Sequence, residues 1–304
     1  MDRLDTMRVF VAVADRGSFA EAARRLDLAP VQVTRAVASL EERLGQRLFH
    51  RTTRRIHLTE AGVRYLDDCR RILRELDDAE SALVEGAEPR GLVQLTAPVM
   101  FGRLHIQPLV LAYLEAHPLV RVRVLFTDQI VSLVEEEVDV AVRIGELPDS
   151  ALICQPVGQV RRILCASPAY LRRRGTPRSL DQLREHRLIA TSAVTVPREW
   201  VFYEDGQPRS VRIDPQLVVN STEAAVEAAV AGFGLARVLS YQIAAPLGEG
   251  RLETVLAQLE PRPLPVQIVY DEPRRRTARV RSLVDFLVPR LRENMLIAAP
   301  RARR

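Results

Sequence analysis

Polar residues near the start of one predicted helix have side chains that could read a nucleic-acid sequence. Gln32, Thr34 and Arg35 follow Pro30, which is favourable in the first turn of a helix because no backbone N–H is needed there. Glutamine can form two hydrogen bonds with adenine, and threonine offers a hydroxyl and a methyl group to base edges in the major groove. The same residues would also be ordinary on a solvated helix face, so this pattern alone leaves both interpretations open.

A cluster of arginines lies in a predicted hairpin after that helix, and its members are Arg47, Arg51, Arg54 and Arg55. Cations this close repel one another unless an anion is near, and the phosphate backbone is the ordinary anion. Between Arg16 and Arg64 the chain has ten arginines against five acidic residues, and acidic residues return directly afterwards. The net charge of +5 permits nucleic-acid binding without demanding it, but its distribution predicts a basic surface in this segment.

Two helices joined by a short turn would position these residues. Ser18 and Glu21 have the spacing of a capping box, so the first of the two helices is predicted to begin there. The second helix begins near Pro30 and ends at Gly45, a residue type that commonly terminates helices. Its apolar residues recur every three or four positions, at Val33, Val37, Leu40 and Leu44. The pattern is typical of a helix-turn-helix.

A long helix is predicted from Thr59-Glu60 to about Gly86. Its apolar positions have heptad spacing, at Tyr65, Cys69, Ile72, Leu76, Ala79 and Leu83. A seam flanked by polar residues needs a partner helix, but the spacing does not decide whether that helix belongs to the same chain or to a second copy. The residues Glu88-Pro89-Arg90-Gly91 then predict a hinge.

Beyond the hinge, predicted strands alternate with predicted helices, which is typical of α/β proteins with parallel sheets. The predicted strands are 92–96, 120–126, 139–144, 153–157, 162–166, 188–190, 200–203, 217–220 and 265–270. The predicted helices are 103–117, 131–138, 221–231 and 277–294, with shorter ones near 168–171 and 180–183. The arginine-rich tail after Pro300 is expected to be disordered.

Motifs for catalysis are absent from the sequence. It has no Gly-x-Ser-x-Gly elbow, no His-Glu-x-x-His pair and no phosphate-binding Gly-Lys-Ser/Thr loop. Its histidines are scattered, and its cysteines lack metal-binding or redox spacing, so we expect no catalytic residue, no metal and no cofactor. The N-terminus lacks the apolar core of a signal peptide, and no apolar run is long enough to cross a membrane. These features predict a cytoplasmic protein with no membrane partner.

The sequence resembles the LysR-type transcriptional regulators over almost its whole length. The residues that carry the resemblance are Phe10, Ser18-Phe19, Ala22-Ala23, Leu26, Pro30, Val33-Thr34-Arg35, Leu40-Glu41, Leu44-Gly45, Leu48-Phe49, Arg51, Leu58-Thr59 and Gly62. Two positions depart from the family pattern. Ala29 stands where the family usually has a serine cap before Pro30, and Thr34 stands where serine is more common.

The resemblance implies a fold and a division into domains. It implies an all-α winged helix-turn-helix DNA-binding domain, followed by an α/β domain with two lobes, like a type 2 periplasmic binding protein. The implied boundaries are 1–58 for the DNA-binding domain, 59–89 for a dimerisation helix and hinge, and 90–304 for the effector-binding domain. Within the last, lobe I would comprise 90–161 and 268–294 and lobe II 162–267, with crossings near Arg161 and Gln267.

The resemblance also implies partners and binding residues. The partners are double-stranded operator DNA, a small organic effector, and further copies of the chain in a dimer or tetramer. The residues expected to bind DNA are Pro30, Val31, Gln32, Thr34, Arg35, Arg51, Arg54 and Arg55. The residues expected to bind the effector lie between the lobes, at the carboxyl ends of strands. They are Pro98, Val99, Met100, Phe101, Thr127, Ile144, Val196, Phe202, Ser221 and Thr222.

The segment from Thr96 to Gly102 has a second possible property. A loop that runs into a helix N-terminus could hold a carboxylate on unpaired N–H groups, although Val99 and Met100 are more apolar than a strong anion site. Ser221 and Thr222 are also good helix caps, which is the ordinary alternative to ligand binding at that position.

Two other classes of protein fit parts of this sequence, namely a cytosolic solute-binding protein and an enzyme domain without a regulatory role. The helix-turn-helix pattern argues against the first, and the missing catalytic motifs argue against the second. We therefore expect a sequence-specific DNA-binding regulator that responds to a small molecule.

Overall fold

The computed structural model divides the chain into two units, Met1–Ala87 and Glu88–Arg304. The residues that it describes are 1–51, 56–82, 88–133, 136–147, 152–192, 197–275 and 277–298. Several predictions lie outside these residues, namely those made for Arg54, Arg55, Leu83, Val196 and the arginine-rich tail.

The N-terminal unit consists of helices and one antiparallel hairpin. The helices are α1 (Arg3–Arg16), α2 (Phe19–Leu26), α3 (Pro30–Leu44) and α4 (Glu60–Ala82), and the strands are β1 (Phe49–Arg51) and β2 (Ile56–Leu58). Helices α2 and α3 are joined by a short turn through Asp27, which has a left-handed backbone. The predicted helix-turn-helix is therefore confirmed, and the hairpin forms its wing.

Local side chains set the ends of these helices. The Glu21 N–H donates to Ser18 Oγ at 3.3 Å, so Ser18 caps α2 as its type predicts. Gly45 ends α3 with φ 63°, in the left-handed region where glycine is not strained. The predicted apolar stripe of α3 is buried except for Leu44, which is exposed at the end of the helix.

The core of this unit joins α4 to the helix-turn-helix. The Phe10 ring centroid lies 5.2 Å from that of Phe49 and 5.5 Å from that of Tyr65. Further along α4, Ile72 and Leu76 are only half-buried. The first part of the predicted heptad seam thus packs within the unit, whereas the described residues of its second part remain partly open to solvent.

The C-terminal unit contains two five-stranded sheets and a separate hairpin among its described residues. The first sheet has the order β4 (Val120–Phe126), β3 (Gly91–Ala97), β5 (Val140–Ile144), β14 (Leu264–Tyr270) and β6 (Ile153–Val160). The second has the order β11 (Leu217–Val219), β8 (Leu188–Thr191), β12 (Leu235–Leu239), β7 (Arg162–Ala166) and β13 (Glu253–Val255). The hairpin pairs β9 (Glu199–Glu204) with β10 (Gln207–Arg212). We call the first sheet with its helices lobe I, and the second sheet with its helices and the hairpin lobe II.

Helices cover the faces of both sheets. In lobe I they are α5 (Val99–Phe101), a π-helical turn (Gly102–Ile106), α6 (Gln107–Ala116), α10 (Glu272–Arg275) and α11 (Ala278–Ala298). In lobe II they are α7 (Pro168–Arg174), α8 (Thr222–Val230) and α9 (Ala244–Gly248), with 3₁₀ turns at Asp181–Glu185, Ser240–Ile243 and Ala257–Leu259. The helix predicted near Leu180 and Leu183 is thus one of these 3₁₀ turns.

Both sheets are mixed, so the parallel pairing that the alternation of strands and helices predicts is present in only part of each sheet. In lobe I, β3 is parallel to β4 and β5, but β14 runs antiparallel to β5 and β6. In lobe II, β8 is parallel to β11 and β12, but β7 runs antiparallel to β12 and β13. The reason is that β7 and β14 each begin at a crossing between the lobes and run away from it. The strands beside them run towards the crossing, so the pairing is antiparallel.

The crossings also explain one misplaced boundary. The chain passes from lobe I to lobe II at Arg161, between β6 and β7. It returns before Leu264, so Gln267 lies inside β14 and pairs with Arg143 of β5. The second crossing was therefore predicted a few residues too late. Three strands, β10, β12 and β13, were not predicted, because their apolar runs are short or alternate with arginine.

The helix predicted for residues 131–138 does not form among the described residues of that segment. They make isolated turns, in which Glu136 N–H donates to the Ser132 carbonyl at 3.1 Å and Val138 N–H to the Leu133 carbonyl at 2.9 Å. Glu137 has a left-handed backbone with φ 52°, which a continuing helix does not allow. Leu133 and Val138 are buried against the first sheet, so their burial reflects tertiary packing and not a helical stripe.

Candidate DNA-binding surface and ligand cleft

The start of α3 is an exposed face of the N-terminal unit. The exposed residues are Pro30, Val31, Gln32, Thr34 and Arg35. Val31 keeps 59% of its surface exposed although it is apolar, while the opposite face of the helix is buried. A helix N-terminus that presents such side chains to solvent has the arrangement that recognition helices use in the major groove.

Two polar side chains on this face also bond to the helix itself. The Ala29 N–H donates to Gln32 Oε1 at 2.9 Å, so Gln32 makes the half of a capping box that pairs the N–H of the N-cap residue. The Thr34 hydroxyl donates to the Pro30 carbonyl at 3.0 Å. Gln32 therefore keeps its amide NH₂ group for a base, but two-point pairing with adenine would also need its oxygen.

One of the hairpin arginines has an acidic partner in the protein. Arg47 Nη1 lies 3.2 Å from Glu41 Oε2. Arg51 ends β1, but its side chain is outside the described part of the chain, as are Arg54 and Arg55. The charge of Arg47 is therefore already matched by Glu41, so Arg47 does not require an anion from DNA. DNA contact by Arg51, Arg54 and Arg55 stays a prediction.

Glu41 lies buried beneath this surface, and no role was predicted for it. Its side chain is only 4% exposed, and Oε1 accepts hydrogen bonds from the N–H groups of Leu48 at 2.8 Å and Phe49 at 3.1 Å. A buried carboxylate needs such donors to offset its lost hydration. Glu41 thereby fixes the start of the wing against the end of α3. The signal in the sequence was an acidic residue next to Leu40 of the buried stripe.

The N-terminus of α5 is already occupied by a carboxylate of the protein. The Val99 N–H donates to Asp128 Oδ1 at 3.0 Å, and the Gly102 N–H donates to the Pro98 carbonyl at 2.7 Å. The expectation that unpaired N–H groups here would bind the carboxylate of a ligand is therefore wrong for Val99.

The predicted ligand residues divide into core residues and accessible ones. Phe101 and Phe202 are buried in the cores of lobe I and lobe II, so the prediction that both line an open cleft was wrong for this arrangement. Phe101 follows the end of β3, whereas Phe202 lies inside β9, and packing buries both rings. The accessible or half-buried residues among the described ones are Pro98, Val99, Met100, Thr127, Ile144, Ser221 and Thr222.

The lobes meet through α8 on one side and the π-helical turn on the other. Arg103 of lobe I forms an ion pair with Glu223 in the first turn of α8. Ser221 Oγ caps the same helix by accepting from the Ala224 N–H at 3.3 Å, as the ordinary alternative predicts. Thr222, between these residues, therefore lies at the junction of the lobes.

An aromatic contact that was not predicted joins the two lobes next to α5. Tyr241 follows β12 of lobe II but is buried in the core of lobe I, with its ring 5.3 Å from Phe101. The Gln242 side chain donates to the Tyr241 hydroxyl at 3.2 Å, and burial raises the pKa of Tyr241 above its usual value. His105 lies 5.7 Å from the Tyr241 ring, and burial lowers its pKa. Nothing in the sequence indicated that Tyr241 would contact lobe I, because the strand before it, β12, was not predicted.

The described part of the chain contains neither a candidate metal site nor a candidate membrane-spanning helix. No group of three or more histidine, cysteine, aspartate or glutamate residues there could hold a metal ion. No helix in the same residues is long and apolar enough to cross a bilayer.

A winged helix-turn-helix with an exposed recognition face, followed by a two-lobed α/β unit, defines a class of ligand-responsive transcription regulators. Family comparisons agree with that class. The chain matches the bacterial regulatory helix-turn-helix of the lysR family over residues 4–63 and the LysR substrate-binding domain over residues 86–292. The chain therefore belongs to the LysR family of transcriptional regulators, with a helix-turn-helix for DNA and a domain for small-molecule effectors.

Curated relatives and solved structures are similar over nearly the whole chain. An HTH-type transcriptional regulator of Xanthomonas campestris pv. campestris is 36% identical, over 95% of this chain and 86% of its own length. CrgA of Neisseria meningitidis serogroup C is 32% identical, over 96% of this chain and 98% of its own. The solved structure of CrgA matches with a TM-score of 0.61 and 31% identity, over 94% of this chain and 98% of that one. The full-length Vibrio cholerae virulence activator AphB also matches with a TM-score of 0.61, at 25% identity, over 95% and 99%.

Proposed function

We propose that this LysR-type regulator reads an operator with the start of α3, positions itself with the wing, and responds to a small organic effector held between lobes I and II. The observation that carries the DNA-reading part is the exposed start of α3, where apolar and polar side chains project from a helix whose other face is buried. We further propose that it acts in the cytoplasm as a dimer or tetramer, without a cofactor and without catalytic activity.

The side chains at the start of α3 suggest how bases would be read. Val31 offers an exposed apolar surface, which is complementary to the methyl group of thymine. Gln32 would donate its NH₂ group to a base acceptor while its oxygen keeps the cap. Thr34 would offer its methyl group and the unused lone pairs of its hydroxyl. Pro30 would place this turn close to the backbone of the DNA.

Phosphate contacts would come from the arginines. Arg35 is exposed on α3, and Arg51, Arg54 and Arg55 belong to the wing segment. Contacts of this kind fix the register of a protein on the duplex but carry no direct sequence information. We therefore assign operator preference to α3, and affinity and orientation to the arginines.

Pairing of subunits would use α4. Ile72 and Leu76 lie on the predicted heptad seam and are only half-buried within this unit. An antiparallel or parallel α4 of a second copy would remove that apolar surface from water, at roughly 25 cal/mol per Å². Paired DNA-binding units also match the symmetry of operators with two half-sites.

The effector would bind between the accessible predicted residues of the two lobes, which are Pro98, Val99, Met100, Thr127 and Ile144 on lobe I and Ser221 and Thr222 on lobe II. Val196, which lies outside the described residues, is part of this proposal on sequence position alone. The ion pair of Arg103 with Glu223 supports a junction whose closure a ligand could change. An effector would shift the regulator only if it bound one arrangement of the lobes better than the other.

Binding of the purified protein to DNA from its own upstream region tests the proposal. We expect a retarded complex and a footprint with two protected half-sites about one helical turn apart, or a multiple of that spacing. Unrelated DNA of equal length at the same salt concentration is the control. A protein that retards both fragments equally at every salt concentration would contradict sequence-specific recognition.

A further inference from the structure

Two arginines of lobe II lie side by side on one face of its sheet. In the antiparallel pairing of β7 with β12, Arg237 is opposite Leu164 and Arg162 is opposite Leu239. Side chains two positions apart along a strand point to the same face, so Arg162 and Arg237 occupy diagonal positions on that face. At this spacing, long side chains reach each other.

The two guanidinium groups have no acidic partner within the described part of the chain. Arg237 Nη2 donates to the Val201 carbonyl, and its buried Nε has no acceptor among the described residues. Several other arginines of this unit pair with aspartate or glutamate, as at Arg103, Arg161, Arg209 and Arg274. Arg143 and Arg173 instead donate to backbone carbonyls, as Arg237 does. What distinguishes Arg237 is the second arginine that adjoins it on the neighbouring strand.

The surroundings make an unmatched pair of charges unfavourable. Burial, together with the neighbouring charge of Arg162, lowers the pKa of Arg237 to about 9. Arg162 is exposed to solvent, yet desolvation by the protein around it also lowers its pKa. Because both groups remain cationic at neutral pH, like charges adjoin where water screens them poorly.

The arginine pair borders the junction of the lobes. Arg162 directly follows Arg161 at the crossing, where the Arg161 N–H donates to Ser240 Oγ at 3.1 Å. Leu239, opposite Arg162, packs against the core of lobe I. On the other side, the Arg237 guanidinium lies 4.7 Å from the ring centroid of Phe202. The pair therefore lies at the edge of lobe II that adjoins lobe I.

We propose that Arg162 and Arg237 form the anion-binding part of the effector site, and that the effector is a small organic carboxylate. This inference rests on the proposed function and names the ligand class for the same site. Guanidinium groups present paired N–H donors that match the oxygens of a carboxylate. A carboxylate beside the two arginines would accept from their guanidinium groups, and its charge would offset their repulsion.

The protein contains a built-in reporter for this site, because its single tryptophan lies beside Arg237. The Arg237 guanidinium is 5.9 Å from the ring centroid of Trp200. We would titrate the full-length protein with acetate, succinate and benzoate, and with acetamide, succinamide and benzamide, at constant ionic strength. We expect at least one carboxylate to change the fluorescence of Trp200 with a saturable dependence, while its neutral amide does not.

Substitution of the exposed member tests the role of the pair without removing the aromatic stacking of Arg237. Arg162→Gln should weaken carboxylate binding about tenfold or more, because a charge-assisted hydrogen bond is lost. Arg172→Gln removes an exposed arginine from α7 of the same lobe and should leave the titration unchanged. Without ligand, Arg162→Gln should melt at the same temperature as the wild-type protein or higher, since the repulsion is relieved.

Several results would overturn the inference. These are equal responses to a carboxylate and its amide, an Arg162→Gln protein with unchanged affinity, or no saturable response to any carboxylate. A response to inorganic phosphate alone would overturn the carboxylate assignment. A protein that retards its upstream DNA but ignores carboxylates refutes this inference only, whereas one that binds carboxylates and retards no DNA refutes the proposed function.

Discussion

The start of α3 and the arginine pair of lobe II use similar side chains in opposite surroundings. Arg35 projects into solvent from the N-terminal unit, whereas Arg237 is half-buried over Phe202 and Trp200 of lobe II. Charges in solvent are screened by salt within about 10 Å at moderate ionic strength, and partly buried charges are screened much less. Contacts of the first kind are individually weak and add up along a long duplex. A contact with a partly buried charge would be strong individually, so a single small ligand would be enough to use it.

The two units are also expected to differ in how they tolerate amino-acid substitutions. The N-terminal unit holds its recognition face on a small core, so a single backbone clash can remove the whole surface. The C-terminal unit has larger cores in each lobe, and its proposed binding groups lie outside those cores. Substitutions can therefore break one region and leave the other intact, which makes the comparison testable.

The largest effects are expected from glycines that lie against backbone carbonyls, one in each unit. A Cβ at Gly62 would lie 2.1 Å from the Leu48 oxygen, and one at Gly234 would lie 2.3 Å from the Arg187 oxygen. Gly62→Ala and Gly234→Ala should each destabilise their own unit by about 3 kcal/mol, at the upper end of overpacking costs. Urea unfolding followed by Trp200 fluorescence reports the C-terminal unit, and DNA binding reports the other.

The control for these variants is Gly248→Ala, because nothing lies within 4 Å of a Cβ at that position. It should leave both readouts close to wild type. If Gly62→Ala moved the Trp200 transition as far as Gly234→Ala does, the two units would not be independent and the comparison would fail.

The next effect concerns the effector response. Val99→Trp and Thr222→Trp add large side chains to the accessible residues of the cleft, and neither residue belongs to the DNA-binding unit. We expect operator binding to persist while the small molecule that alters the wild-type footprint no longer alters it. Leu119→Trp, at an exposed apolar position before β4, is the control. A normal response in both cleft variants, in size and midpoint, would place the ligand elsewhere.

Smaller effects are expected from single phosphate contacts. Arg35→Ala and Arg54→Ala should each weaken binding to all DNA sequences by a similar factor, and each should reduce the slope of log K against log salt by about 1. Arg172→Ala removes an equal charge from the other unit and should change neither quantity. Titrations at several salt concentrations measure the slope, and an unchanged slope for either variant would show that its arginine does not contact phosphate.

Base reading by Gln32 can be separated from helix capping. Gln32→Ala removes both roles, and should cost about 1 kcal/mol of stability through the cap and about 1–3 kcal/mol of discrimination between operators. Gln32→Glu keeps an oxygen for the Ala29 N–H but removes the NH₂ donor. We expect it to retain stability and lose discrimination. If both variants rank operator sequences as the wild type does, Gln32 only caps α3.

The smallest effect is a pH dependence of the C-terminal unit. Burial lowers the pKa of His105, so the folded state binds fewer protons than the unfolded state near that pKa. The stabilising contribution is present above the unfolded pKa of about 6.5 and is lost as pH falls below it. Between pH 7.5 and 5.5, wild type should lose up to about 1 kcal/mol more stability than His105→Phe. Urea unfolding at both pH values measures this, and equal losses would contradict it.

The sequence by itself determined much of the N-terminal unit, because its signals are local. Ser18 caps α2, Gly45 ends α3, and the buried stripe follows the helical period, all within a few residues of one another. Side chains off that stripe had to be exposed, so the recognition face followed from periodicity alone. What periodicity did not contain was the second use of Gln32, whose side-chain oxygen pairs the Ala29 N–H.

In the C-terminal unit, the sequence determined the alternation of strands and helices, but tertiary structure decided which side chains meet. Phe101 and Phe202 were both expected at strand ends, yet Phe202 lies inside β9 and both rings are buried by the packing of neighbouring elements. Arg162 and Arg237 are 75 positions apart and become neighbours only through the register of β7 with β12. Strand register is set by contacts between distant segments, and no local pattern encodes those contacts.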